Sequence, residues 1–234
     1  MIFVDFIKEL EQLNINASKE MENKFEIYYN RLIEVNSYMN LTAITEREEV
    51  YIKHFLDSLF ITKAIDITKP FSLCDVGSGA GFPSIPLAIV TNNANVTIID
   101  ALNKRINFIN DLAQKLNLDN VNAIHARAED YAKEKREDFD YVTARAVARL
   151  NVLVELCLPL VKIGGLFIAM KTQDEDELNE AKNAISILGG KIENIISFNL
   201  PNDYGKRSII IIKKIKNTPS KYPRGFSKIK ERPL

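Results

Sequence analysis

The sequence has no tryptophan, two cysteines and two histidines. Cys74 and Cys157 stand far apart in separate apolar segments, which favours reduced core thiols over a disulfide. His54, His125 and the cysteines show none of the spacings typical of metal ligands, so we expect no metal site. No stretch approaches the roughly 18 consecutive apolar residues of a membrane span, and the N-terminus lacks the features of a signal peptide. We therefore expect a cytoplasmic protein that does not enter a membrane.

An excess of either charge is also missing overall, because basic and acidic side chains balance at a formal net charge of zero. The balance is uneven along the chain: residues 1–66 carry a net −5, residues 67–204 a net −4 and residues 205–234 a net +9. A block of positive charge often marks a nucleic-acid contact, and a solubilising tail is the alternative. With 46% hydrophobic and 26% charged residues in 234, the composition is that of a globular protein.

Hydrophobic periodicity divides the chain. Residues 1–66 repeat apolar side chains at intervals of three and four, which predicts three amphipathic helices. After Pro70, short apolar runs alternate with helical stretches, which is typical of βαβ units. We predict strands at residues 71–76, 95–100, 121–126, 139–144, 166–171, 191–198 and 207–213.

These elements predict a Rossmann-like α/β fold. The first five strands should form a mostly parallel sheet, and the last two should form an antiparallel hairpin at its edge, giving seven strands. We expect an N-terminal helical extension at 1–66, the α/β domain at 67–216 and a basic C-terminal tail at 217–234. The tail has too few apolar residues to pack as a domain.

A glycine-rich loop follows the first predicted strand, in the sequence LCDVGSGAGFPSIPL. Its glycines at 77, 79 and 81 lie where open α/β sheets bind ligands, beyond the carboxyl end of a strand. The third position of the dinucleotide fingerprint is Phe82 rather than glycine, and the P-loop lysine is absent. The spacing G-x-G-x-G after Asp75 is more typical of class I methyltransferases, which bind S-adenosylmethionine.

Two acidic positions support this interpretation. Asp100 ends the second strand, 23 residues after Gly77, where a carboxylate can accept both ribose hydroxyls of a nucleoside. A solvated strand-end carboxylate is the alternative. The run Arg-Ala-Glu-Asp at 127–130 follows the third strand, at the position that would flank an adenine ring.

Over almost its whole length the chain resembles the bacterial methyltransferases that modify guanine N7 in small-subunit (16S) ribosomal RNA, also called glucose-inhibited division protein B. The segments that carry the resemblance are YYNRLIEVNSYMNLTAI, KHFLDSL, DVGSGAGFPSIPLAIV, LNKRINFI, RAED, VTARAVARL, AMKT and YPRGFSKIKERPL. The resemblance implies a cytoplasmic enzyme that uses S-adenosylmethionine, with 16S ribosomal RNA or the small ribosomal subunit as partner. We expect a monomer.

The resemblance also implies site residues. Its cofactor positions are Gly77, Phe82, Ala128, Glu129 and Arg145. The glycine spacing and the strand-end carboxylate discussed above add Gly79 and Asp100 to the predicted cofactor site. The positions near the target nucleotide are Asn40, Arg127 and Lys171. For Arg145, which should hold the cofactor carboxylate or the guanine O6 edge, the alternative is a surface ion pair. Arg149 is an additional arginine, and its role stays open.

The expected chemistry needs no proton removal, because guanine N7 presents an unprotonated lone pair at neutral pH. The loop after the fourth strand reads Thr-Ala-Arg-Ala and lacks the Asp/Asn-Pro-Pro-Tyr/Phe motif of amino methyltransferases. We therefore expect in-line attack without a general base. A different acceptor, either another RNA base or a small molecule, is one alternative. A non-catalytic nucleoside- or RNA-binding protein is the other.

Other side chains have competing interpretations. His54 is either a helix-packing or an RNA-facing residue, and packing is favoured. His125 should be structural within a buried strand. Tyr28, Tyr29 and Tyr38 could stack on a splayed base, but their helical spacing favours core packing. If the tail only anchors RNA, its deletion should leave cofactor binding almost unchanged.

Overall fold

A single seven-stranded sheet organises the molecule, in a computed structural model that describes residues 2–145, 148–172 and 175–234. The strand order is β3-β2-β1-β4-β5-β7-β6. The strands are β1 (Phe71–Val76), β2 (Ala94–Asp100), β3 (Val121–His125), β4 (Phe139–Arg145), β5 (Val161–Thr172), β6 (Gly190–Asn199) and β7 (Lys206–Lys214).

The first five strands pair in parallel, and β7 pairs antiparallel with both β5 and β6. The predicted parallel sheet with an antiparallel hairpin at one edge is confirmed. Because β1 lies between β2 and β4, the chain reverses its direction of winding beside β1. Ligands bind at such a reversal in open α/β sheets, outside the carboxyl ends of the strands.

Helices cover both faces of the sheet. After an N-terminal group that ends at Lys63, they are α5 (Ser84–Val90), α6 (Asn103–Lys115), α7 (Ala128–Glu134), α8 (Leu150–Cys157), α9 (Glu175–Ile187) and α10 (Phe226–Glu231). Successive side chains of a strand point to opposite faces. In β7, Ile209 and Ile211 accordingly join one core with α5, α6 and the N-terminal helices, and Ile210 and Ile212 join a second core with α7, α8 and α9.

The N-terminal region contains α1 (Ile2–Gln12) and α2 (Lys19–Met39). Ser18 caps the start of α2 by accepting a hydrogen bond from the Met21 amide at 3.1 Å. The predicted third helix is one continuous helical run with four geometries: α3 (Arg47–Val50), a π-helix (Tyr51–Leu56), α4 (Asp57–Leu59) and a 3₁₀ turn (Phe60–Lys63). A π segment often marks a functional site, and here it contains His54.

The last twenty residues, 215–234, form what we call the C-terminal strap. It includes α10, and the side chains of Tyr222 and Ile229 are buried in the second core. Arg136 donates hydrogen bonds to the carbonyls of Pro219 and Tyr222, at 3.1 and 2.8 Å. Buried apolar side chains and hydrogen bonds from Arg136 thus both attach the strap, which the low apolar content of the tail did not predict.

The described residues lack two further features. None of the helices they form is long and apolar enough to cross a membrane. They also contain no cluster of three or more His, Cys, Asp and Glu side chains that could hold a metal ion.

Candidate functional site

A cavity of about 520 Å³ opens beside the carboxyl ends of β1 and β2. The glycine loop, the end of β2, the start of α7 and one residue of the C-terminal strap all contribute to its wall. Its lining includes Thr42, His54, Gly77, Ser78, Gly79, Phe82, Asp100, Arg105, Arg127, Ala128, Glu129, Arg145, Leu156 and Phe226. The cavity therefore lies where the reversal of strand order predicts a ligand.

The glycine loop is fixed to the sheet and to α2. The Gly77 amide donates to the Ile99 carbonyl at 2.8 Å, and the Tyr28 hydroxyl donates to the Ala80 carbonyl at 2.6 Å. A Cβ on Gly81 would lie 2.6 Å from Ile85 Cγ1 and has no room. A Cβ on Gly79 would meet nothing within 4 Å, but its φ of +63° disfavours any other residue.

Polar groups of this loop suit a carboxylate or another anionic group. Ser78 Oγ is buried against the cavity and has no hydrogen-bond partner among the described residues. The backbone amides of Ser78, Gly79 and Ala80 likewise donate to no backbone carbonyl of the described residues. A buried polar group usually has a partner, so the loop is suited to donate to a ligand.

Asp100 lines the cavity and is 5% exposed. Its Oδ1 accepts from the Leu102 amide at 2.8 Å, and its Oδ2 accepts from Arg105 at 3.2 Å. Each carboxylate oxygen has a second lone pair, so the group can still accept hydroxyl hydrogen bonds. Beyond it, Ala128 and Glu129 begin α7, and Glu129 is buried.

Arg145 ends β4 and reaches back to the N-terminal helices. It donates to Asp57 Oδ2 at 3.2 Å and to Ser58 Oγ at 3.3 Å, and its guanidinium lies 4.9 Å from the centroid of the Phe82 ring. The His54 ring stacks on Phe82 at 4.5 Å. The three side chains together form one wall of the cavity, which connects the glycine loop with the π-helix.

The hydrogen bonds of His54 fix its protonation state. Arg145 only donates, so His54 Nδ1 must accept at 3.2 Å, and the opposite nitrogen Nε2 then donates to Thr42 Oγ1 at 2.8 Å. Burial, and then the positive charge of Arg145, lower the pKa of His54 to about 3. The imidazole is therefore neutral at physiological pH and has no free lone pair.

A second cavity of about 240 Å³ lies on the other side of Arg145 and His54, which line both cavities. Its lining includes Lys53, Asp57, Lys171, Phe198 and Arg207. Asp57 forms ion pairs with Arg145 and Arg207. The two arginines favour the charged form of Asp57, but burial has the larger effect and raises the pKa of its carboxyl. The second cavity is thus rich in cations and adjoins the first one.

Most of the predicted site residues lie at these two cavities. The seven cofactor positions and Arg127 line the first cavity, and Lys171 lines the second, where it also pairs with Glu177 at 2.6 Å. Asn40 lines neither: it is the left-handed C-cap of α2, and the neighbouring Leu41 and Thr42 line the first cavity instead. Its substrate role stays a prediction.

Several side-chain predictions can also be compared with the structure. Tyr28 is fully buried, as predicted, whereas Tyr38 is 67% exposed and does not pack in the core. His125 is exposed, because β3 is covered less completely than its apolar pattern suggested. Arg149 pairs with Glu180 at 2.8 Å on the surface. The sequence did not predict that Thr42, Arg105 and Phe226 line the first cavity, because only the folded chain brings these distant residues together.

The sheet, its strand order and the glycine-loop cavity define a class I S-adenosylmethionine-dependent methyltransferase. Solved structures share this fold at low sequence identity. A SAM-dependent methyltransferase from Aquifex aeolicus matches with a TM-score of 0.55 and 14% identity, covering 74% of this chain and 96% of that one. TYW2 from M. jannaschii in complex with AdoMet matches with a TM-score of 0.52 and 17% identity, covering 63% and 70%.

The sequence comparisons identify the family. The family model of rRNA small subunit methyltransferase G matches residues 21–209. A curated relative from Staphylococcus saprophyticus, named ribosomal RNA small subunit methyltransferase G, is 55% identical over 219 residues, which are 93% of this chain and 92% of the relative. The chain belongs to the rRNA small subunit methyltransferase G family.

Proposed function

We propose that this protein transfers a methyl group from S-adenosylmethionine to N7 of a guanine in 16S ribosomal RNA. Family membership supports the ribosomal RNA substrate. The observation that carries the chemistry is the pair of adjoining cavities that share Arg145 and His54 as a common wall. One cavity takes the methyl donor and the other takes the acceptor base, in the cytoplasm where ribosomal RNA is made.

The larger cavity suits S-adenosylmethionine. When bound, the cofactor supplies an electrophilic sulfonium methyl group. Ser78 and the loop amides donate to the anionic carboxylate of its methionine part, and Asp100 accepts from the ribose hydroxyls. Ala128 and Glu129 at the start of α7 then lie beside the adenine.

The smaller cavity suits a guanine with its phosphate. Lys171 and Arg207 line it, and both can donate to the guanine O6 or to phosphate oxygens. Arg127 lies on the surface beside the larger cavity, where it can contact the RNA backbone. Guanine N7 accepts none of these hydrogen bonds, because it must stay free to attack the methyl group.

No protein base is needed for this reaction, and the geometry fits that requirement. Two groups that line the smaller cavity, His54 and Asp57, could have removed a proton from an amine or a hydroxyl. His54 is neutral, but both of its ring nitrogens are in hydrogen bonds. Asp57 is held between Arg145 and Arg207. The protein orients N7 in line with the S–CH₃ bond and excludes water.

The test is to incubate the enzyme with labelled S-adenosylmethionine and small-subunit ribosomal RNA, presented both as naked RNA and as assembled subunits. Nucleoside mass spectrometry after complete digestion should find the label in 7-methylguanosine. Label in an N6-, N2- or 2′-O-methyl nucleoside would replace the proposal with a different acceptor. Cofactor binding without methylation of either substrate would favour a non-catalytic binding protein.

A further inference from the structure

The C-terminal strap contributes one side chain to the larger cavity. Phe226, the first residue of α10, lines this cavity together with Leu156 of α8, and it is 38% exposed. No other residue of the strap contributes to the cavity wall. A large aromatic side chain half-exposed in a ligand cavity has apolar surface that a bound ligand can cover.

The position of Phe226 indicates which part of the ligand it faces. Helix α10 packs against α8, and α8 packs against α7. The first two residues of α7, Ala128 and Glu129, line the cavity at the end of β3. Phe226 therefore enters the cavity from the side of α7 and α8, while the glycine loop approaches along β1.

The strap holds Phe226 in place through buried charges. Two residues before it, Arg224 donates through Nε and Nη2 to both oxygens of Glu155, with a shortest distance of 2.6 Å. Glu155 lies on α8, is fully buried and also accepts from the Arg224 amide. Further back, the fully buried Lys214 donates to the Thr218 hydroxyl at 2.6 Å. The bidentate pair of Arg224 with Glu155 fixes the orientation of the strap as well as its distance from α8.

We propose that Phe226 packs against the adenine of S-adenosylmethionine, so that the C-terminal strap is part of the cofactor site. The proposal rests on the proposed function only in taking S-adenosylmethionine as the ligand. It changes the expected role of the tail: its charges face RNA, and its one aromatic side chain in the cavity faces the cofactor. Loss of the strap would then weaken cofactor binding, contrary to the expectation from composition.

The test compares Phe226→Ala with Ile215→Ala. Ile215 is an equally apolar and 45% exposed residue of the same strap that lines neither cavity. Isothermal titration of the ligand-free proteins should show S-adenosylmethionine binding weakened about five- to twentyfold in Phe226→Ala and unchanged in Ile215→Ala. Phe226→Tyr, which keeps the ring, should retain most of the affinity. Both alanine variants should melt at the same temperature without ligand.

Competition by ligand fragments locates the contact. Adenosine should lose the same factor as the whole cofactor in Phe226→Ala, and methionine should lose nothing. An unchanged affinity for S-adenosylmethionine, or a loss that adenosine does not share, would overturn the adenine contact. Neither result bears on the RNA acceptor, whereas a wild-type protein that binds no S-adenosylmethionine would overturn the proposed function itself.

Discussion

The two ends of the chain reach the same cavity but are attached in different ways. The N-terminal helices join the first core through aromatic and aliphatic side chains, including Phe25, Tyr28 and Phe55. The C-terminal strap depends on charged groups as well, above all the pair of Arg224 with the buried Glu155 of α8. Apolar packing tolerates gradual change, whereas a buried pair fails when one partner is lost. The two ends should therefore respond differently to substitution and to salt.

The largest expected effect comes from breaking the strap's ion pair. Arg224→Ala leaves Glu155 buried without its partner, which should lower the free energy of unfolding by about 3–5 kcal/mol. The matched control is Arg149→Ala, which removes an exposed Arg–Glu pair at the other end of α8 and should cost about 0–1 kcal/mol. Urea unfolding measures both, and equal losses would show that the strap is not held by this pair.

Asp100, which belongs to neither end of the chain, should have the largest effect on cofactor affinity. Asp100→Ala removes a carboxylate that accepts from the ribose, so S-adenosylmethionine binding should weaken by about ten- to a hundredfold. Asp119→Ala, which removes an exposed carboxylate that lines neither cavity, should leave the affinity unchanged. Isothermal titration decides, and an unchanged affinity in Asp100→Ala would mean that the ribose site is misassigned.

On the N-terminal side, the Tyr28 hydroxyl connects α2 to the glycine loop by a hydrogen bond. Tyr28→Phe leaves the buried Ala80 carbonyl without its donor, which should cost about 1–2 kcal/mol of stability and also weaken cofactor binding. In Tyr29→Phe the lost hydrogen bond is exposed and 3.3 Å long, so the change should be smaller. Thermal unfolding and titration of both variants measure the effects. If Tyr28→Phe leaves the cofactor affinity unaltered, this hydrogen bond from α2 does not contribute to cofactor binding.

Neutralising the exposed charges of the strap should affect RNA alone. Lys228, Lys230 and Arg232 are exposed, so replacing all three with alanine should preserve folding and cofactor binding. If they contact phosphates, RNA affinity should fall and the slope of log K against log salt should flatten by about two to three. Affinities measured from low to moderate salt provide the slope. An unaltered slope would leave the positive block a solubility feature.

The comparison also shows what a sequence can predict. The sheet, its edge hairpin and the glycine loop could be predicted because each depends on a pattern within about fifteen residues. Examples are the short apolar strand that precedes Gly77 and the one that ends at Asp100. The strap does not, because Arg224 and Glu155 are 69 residues apart and neither is unusual by itself. The wall formed by His54, Phe82 and Arg145 likewise joins three distant segments. Contacts between residues that lie far apart in the sequence leave no hydrophobic periodicity from which they could be predicted.

The most direct test of the central claim, methylation of guanine N7 without a protein base, is the pH dependence of the chemical step. With RNA and S-adenosylmethionine saturating, the single-turnover rate should be flat from about pH 6 to 8.5, because N7 is unprotonated throughout and His54 stays neutral. A rate that rises about tenfold per pH unit, and loses that rise in Asp57→Asn, would identify Asp57 as a general base and contradict the N7 assignment.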